Sequence, residues 1–124
     1  MKLVNSSAAV RSFVAAGRPP VDPANGAAVP FVKICGVTDA DGILAAVRAG
    51  ADAIGLNLVV GTPRALSMPE AVELRRVARA LGPGGGGRSP AVVAITADLG
   101  SEAIAEIVAA LDPDAVQLSG TEPP

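Results

Sequence analysis

Four short apolar runs recur along the chain: "FVKIC" (31–35), "AIGLNLVV" (53–60), "AVVAIT" (91–96) and "DAVQL" (114–118). Runs of this length, bounded by turn residues, fit strands, and their near-continuous apolar character is that of strands covered on both faces. The stretches between them repeat their apolar residues with helical period. The pattern predicts βαβαβαβ. Connections of this kind join parallel strands through right-handed crossovers, so the chain is constrained to an α/β layer architecture.

The helix boundaries are legible from their end signals. Thr38 is placed to cap a helix whose first turn carries Asp39 and Asp41, acidic residues that suit the positive end of the helix dipole. Ile43, Leu44, Val47 and Ala51 give that helix one apolar face, and Gly50 is placed to end it. Ser67 and Glu70 form an S-x-x-E capping box, which predicts a second helix from Met68 to Leu81 with Gly82 beyond it. Ser101 opens a third, running to Leu111.

Residues 1–29 hold Ser, Gly, Pro and Asn without a sustained period and read as a poorly structured leader, with a short helix over 8–16 as its one regular feature. Residues 30–124 form the folded unit. "GPGGGG" (82–87) follows a helix, precedes a strand and lacks the Lys-Ser/Thr of a phosphate-binding loop, so it reads as a linker.

A chain of 124 residues is the size of one domain. With two Phe and neither Trp nor Tyr, its core must be built from Ala, Val, Ile and Leu. Ten basic against twelve acidic side chains, without a basic cluster or an aromatic platform, argue against nucleic acid as a partner. One cysteine forms no internal disulfide. The absence of histidine removes the usual zinc ligand sets and Ser-His or Cys-His catalysis. No apolar run approaches the roughly 20 residues that span a bilayer, and Arg11 interrupts the one signal-like stretch. No membrane partner, metal or cofactor is expected, and the compartment read from this is the cytoplasm.

Chemistry in parallel sheets gathers at the carboxyl ends of the strands. That places Cys35 on the functional rim with the loops after Val60, Thr96 and Leu118. By position alone the thiol reads equally as a reactive group or as a small packed apolar residue.

"VKICGVTDADGILAAVRAGADAIGLNL", "GTPRALSMPEA" and "DAVQLSGTE", between Val32 and Glu122, resemble in order the segments of phosphoribosylanthranilate isomerase, a (β/α)8-barrel enzyme of tryptophan biosynthesis. The resemblance implies a partial TIM barrel, with four parallel strands and three helices, because the full fold takes roughly 200 residues or more. It implies an Amadori rearrangement of N-(5-phosphoribosyl)anthranilate, a small phosphorylated substrate. Cys35 would be the base at ribose C2, a role open to a thiol because the anion is favoured near helix N-termini. Arg64 would meet the anthranilate carboxylate, which a guanidinium grips with two parallel hydrogen bonds. Lys33, inside a strand, and Ser119, where the family usually carries a histidine, would complete the substrate contacts. "ITADLG" also departs from the family's apolar run at that strand end.

The family's catalytic Asp and its phosphate-binding loops would lie beyond the fourth strand, so turnover by these residues alone is not expected. Three readings stay open: a truncated isomerase, a half-barrel that forms a homo-oligomer or pairs with a second half-barrel, and a small flavodoxin-like binding module.

Overall fold

The structure, a computed structural model, describes residues 2–5, 24–26, 31–81 and 89–122. Its elements are β1 (Lys2–Asn5), β2 (Lys33–Cys35), α1 (Ala40–Arg48), β3 (Ala53–Asn57), α2 (Met68–Ala80), β4 (Ala91–Thr96), α3 (Ser101–Leu111) and β5 (Ala115–Leu118). They build one sheet in the order β1-β5-β4-β3-β2. Strands β2 to β5 are parallel, with Cys35 level with Gly55, Asn57 with Ile95, and Thr96 with Leu118.

The four parallel strands lie in chain order without a reversal. Ile54, Leu56, Val92, Ala94 and Val116 pack in one cluster with Ile43 and Val47 of α1, Ala71 and Leu74 of α2, and Leu111 of α3. All three described helices therefore cover the same face. The alternate strand residues Ala53, Ala91, Val93 and Ala115 form a separate cluster on the other face, against Phe31. A doubly wound sheet needs a reversal of strand order and helices on both faces. Among the described residues the sheet is singly wound, the arrangement of a barrel wall and unlike that of a flavodoxin-like module.

One side-chain contact spans the face away from the helices. Lys33 on β2 donates a hydrogen bond from Nζ to Oε1 of Gln117 on β5, although two strands lie between them. As the composition requires, the buried apolar core consists of Ala, Val, Ile and Leu alone among the described residues.

The end signals hold with two adjustments. At α2 the capping box is complete: Ser67 Oγ accepts from the Glu70 amide at 3.3 Å and Glu70 Oε1 accepts from the Ser67 amide at 3.0 Å. Those bonds from Ser67 lower the Glu70 pKa below the ordinary carboxylate value. At α1 the cap is Asp39 rather than Thr38. Asp39 holds the extended backbone of a cap, and its Oδ1 reaches the Gly42 amide at 2.7 Å. Helix α3 starts at Ser101, but Gly100 is its cap and supplies no side-chain bond.

The second strand ends at Asn57 rather than running to Val60, because the Asn57 side chain starts a loop of its own. Its Oδ1 accepts from the Val59 amide and its Nδ2 donates to Thr62 Oγ1, both at 2.9 Å, which leaves Val60 94% exposed. The larger correction concerns the leader. Residues 2–5 form an edge strand, β1, antiparallel to β5, with Lys2 opposite Leu118 and Asn5 opposite Ala115. Four residues of backbone gain a partner there that no local period announces. The helix expected over 8–16 and the glycine run of 82–87 lie outside the described residues.

Candidate functional site

The carboxyl ends of β2 to β5 open onto one cavity of about 410 Å³, lined among others by Cys35, Gly36, Asn57, Arg64, Gln117 and Ser119. Three of the four residues singled out in the sequence, Cys35, Arg64 and Ser119, therefore meet at one place. The fourth, Lys33, stands one step lower in β2 and reaches the site through Gln117.

Cys35 is the last residue of β2 and is exposed. Its Sγ lies over Gly55 of the neighbouring strand: a Cβ built on Gly55 would fall 2.9 Å from that sulfur and 2.7 Å from Ile95 Cδ1. A residue without a side chain at 55 is what gives the thiol its seat. Gly55→Ala is accordingly expected to cost about 1–3 kcal/mol of stability, as overpacking does, and to push the sulfur off the strand. A denaturant midpoint equal to the parent's would show that nothing at 55 depends on the missing Cβ.

The chain leaves β2 through Gly36, at φ +74, in the left-handed region that glycine enters without strain. The same glycine lets Arg64 close in, since a Cβ at 36 would lie 2.8 Å from Arg64 Cδ and 2.9 Å from one guanidinium nitrogen. The loop that carries Arg64 is tied at its base by the Asn57–Thr62 contact and by the Leu66 amide, which donates to the Asn57 carbonyl at 2.8 Å. Among the described residues the carboxylates that pair with arginine belong to Arg75, Arg76 and Arg79, not to Arg64. Arg64 lines the cavity, and among the described residues no carboxylate engages its guanidinium.

On the opposite side of the cavity Gln117 is 8% exposed and has both ends of its amide used. Oε1 accepts from Lys33, and Nε2 donates to Ser119 Oγ at 2.8 Å. With its oxygen accepting from Gln117, the Ser119 hydroxyl keeps its proton for a partner in the cavity. Gln117 and Asn57 were missed in the sequence. Each is a polar residue at an otherwise apolar strand end, and that break in the run was the signal.

"ITADLG" has a structural account. Asp98, at φ +54, accepts from the Thr121 amide at 2.7 Å and from Thr121 Oγ1 at 2.9 Å, while its own amide donates to Glu122 Oε1 at 2.7 Å. The loops after β4 and β5 are clamped together beside Ser119. Asp98→Ala removes both acceptor contacts and keeps the left-handed backbone, for an expected loss of about 1–3 kcal/mol. Asp98→Asn, which retains an acceptor and tolerates that conformation, should recover most of it. Thermal unfolding of the pair checks this.

Among the described residues no group of three His, Cys, Asp or Glu side chains could hold a metal ion, and no helix is long and apolar enough to cross a membrane.

Comparison with known proteins gives one answer. No family model matches the chain. The N-(5'-phosphoribosyl)anthranilate isomerase of Myxococcus xanthus is 40% identical over 93 residues, 75% of this chain and 40% of that protein. A crystal structure of phosphoribosyl anthranilate isomerase in complex with reduced 1-(o-carboxyphenylamino)-1-deoxyribulose 5-phosphate superposes with a TM-score of 0.65 at 32% identity. The match covers 77% of this chain and 45% of that one. A structure of monomers derived from the dimeric isomerase of Thermotoga maritima matches with a TM-score of 0.63 at 29% identity, over 77% of this chain and 44% of that one. The chain thus spans about 40% of the length of the curated relatives it matches. In sequence and in fold alike the chain is similar to part of the phosphoribosylanthranilate isomerases.

Proposed function

We propose that this chain carries the base and the carboxylate grip of a phosphoribosylanthranilate isomerase active site in tryptophan biosynthesis. The observation that supports it most is the meeting of Cys35, Arg64 and Ser119 around one strand-end cavity, within segments shared with the isomerases.

The reaction breaks the bond between C1 and the ring oxygen, carries one hydrogen from C2 to C1 and one from the C2 hydroxyl to the ring oxygen, and gains or loses no atom. Ring opening protonates the ribose ring oxygen and leaves a protonated imine between the anthranilate nitrogen and C1. Loss of the C2 proton to the Cys35 thiolate gives a neutral enolamine, which becomes a ketone at C2 as C1 takes up a proton and the C2 hydroxyl gives one up. C2 is oxidised and C1 reduced within one molecule, so the enzyme is an aldose-ketose isomerase and needs no external redox partner.

Arg64, which lines the cavity and has no carboxylate partner among the described residues, is suited to the anthranilate carboxylate through two parallel hydrogen bonds. The Ser119 hydroxyl, its oxygen held by Gln117, offers a donor to a substrate oxygen. Lys33 acts at one remove: it fixes the Gln117 amide and contributes positive charge beneath a phosphorylated ligand.

The acid that protonates the ring oxygen and the loops that grip the phosphate belong to the part of the barrel that these residues do not match. A positioned acid contributes about 10²- to 10⁴-fold. The 124 residues are therefore expected to turn over only when the rest of a barrel is supplied, and that complementation is the test of the reading. A substrate that is itself a phosphorylated sugar derivative of central biosynthesis fits the cytoplasm as its compartment. The pairing of barrel parts is the partner relation proposed for the chain.

A further inference from the structure

We infer that β1 is a displaceable cover on the outer edge of β5, and that the strand it holds off is the next parallel strand of an isomerase barrel. The inference rests on the barrel reading given above and adds to it a regulated docking edge.

The parallel strands β2 to β5 lie in chain order, so a fifth strand of the same winding belongs beside β5, on the side away from β4. In this chain that side is taken. All four residues of β5 pair with β1: Ala115 with Asn5, Val116 with Val4, Gln117 with Leu3 and Leu118 with Lys2. The pairing is antiparallel, opposite in sense to every other pair in the sheet. A strand in a closing barrel would be parallel. Both cannot use the same edge.

Two features make β1 the weaker occupant. It is four residues long, and among the described residues it sits at the end of the sheet with a strand partner on one side only. A short edge strand with few ladder hydrogen bonds leaves its edge readily. At the other end of the sheet β2 has no strand beyond it among the described residues, and Val32 and Ile34 are 43% and 39% exposed there. One edge of the wall is open and the other is covered by the chain itself. The cover protects the Gln117–Ser119 end of the site from non-specific strand pairing while leaving it exchangeable for the correct partner.

The experiment compares the 124-residue chain with its Leu3→Pro/Val4→Pro variant, in which whichever of the two amides faces β5 is lost and two proline rings keep the strand from forming. The probe is the part of the Myxococcus xanthus isomerase that this chain does not match, made as a separate polypeptide. Two readouts are taken: hydrogen exchange of β5 amides in the chain alone, and affinity for the probe.

The expected result is faster exchange in β5 with β3 and β4 still protected, and binding to the probe about tenfold tighter in the variant, as follows when the competent state of the parent is about a tenth populated. Unchanged β5 exchange in the variant overturns the cover. Equal affinity of parent and variant overturns it as well and leaves the barrel reading standing. Exposed β5 with no binding by either protein contradicts the barrel reading and leaves the cover in place. Dimerisation of the variant in preference to binding the probe assigns the edge to a second copy and overturns its assignment to the next strand of an isomerase barrel.

Discussion

Cys35→Ser is expected to leave the fold intact and to remove most of the turnover of a completed barrel, by a factor on the order of 10² or more. The substitution exchanges one atom at an exposed strand end whose neighbour Gly55 offers no side chain to clash with either group. Packing therefore predicts almost no change. The chemistry predicts a large one, because a serine hydroxyl is far too weakly acidic to stand as an anion near neutral pH and cannot take a proton from carbon. Steady-state kinetics of the two completed barrels, with matched unfolding curves, separate the alternatives. A serine variant as fast as the parent would return Cys35 to the role of a small packed residue.

The second large effect falls on binding. Arg64→Ala should raise KM by about 10- to 100-fold, the size expected when charge-assisted hydrogen bonds to a carboxylate are lost, and lower kcat by less. The anthranilate carboxylate does not change charge along the reaction, so its grip is nearly equal in ground and transition states. Arg64→Lys should recover only part of the loss, since an ammonium keeps the charge but not the two parallel donors. A fall in kcat that exceeds the rise in KM would place Arg64 at the reacting carbons instead. The contrast with Cys35 is informative because both residues line the same cavity and lie against the same turn at Gly36.

Much of this was legible in the sequence because the responsible interactions are local. The Ser67–Glu70 capping box spans one helical turn, and its residue types declare both ends of the bond. The alternation of apolar runs with helical periods fixed the parallel order, and the shared motifs drew Cys35, Arg64 and Ser119 to one rim. What stayed hidden depends on contacts between distant residues. "KLVN" is too short to differ from a leader by period, and its pairing partner lies at the other end of the chain. Thr38 and Asp39 are both good caps, and backbone geometry alone selects the second. Asp98 reads as a surface aspartate until Thr121 and Gly120 are brought beside it. Gln117 reads as a break in a strand until Lys33 reaches it across two strands.

The central claim is that these residues supply a working part of an isomerase site, and complementation tests it most directly. The full chain, alone and mixed with an excess of the unmatched part of the Myxococcus xanthus isomerase, is assayed for conversion of N-(5-phosphoribosyl)anthranilate. The account predicts no turnover by either polypeptide separately and turnover by the mixture that disappears when Cys35→Ser replaces the parent. Turnover by the 124 residues alone, or a stable mixed complex that never turns over, would contradict it.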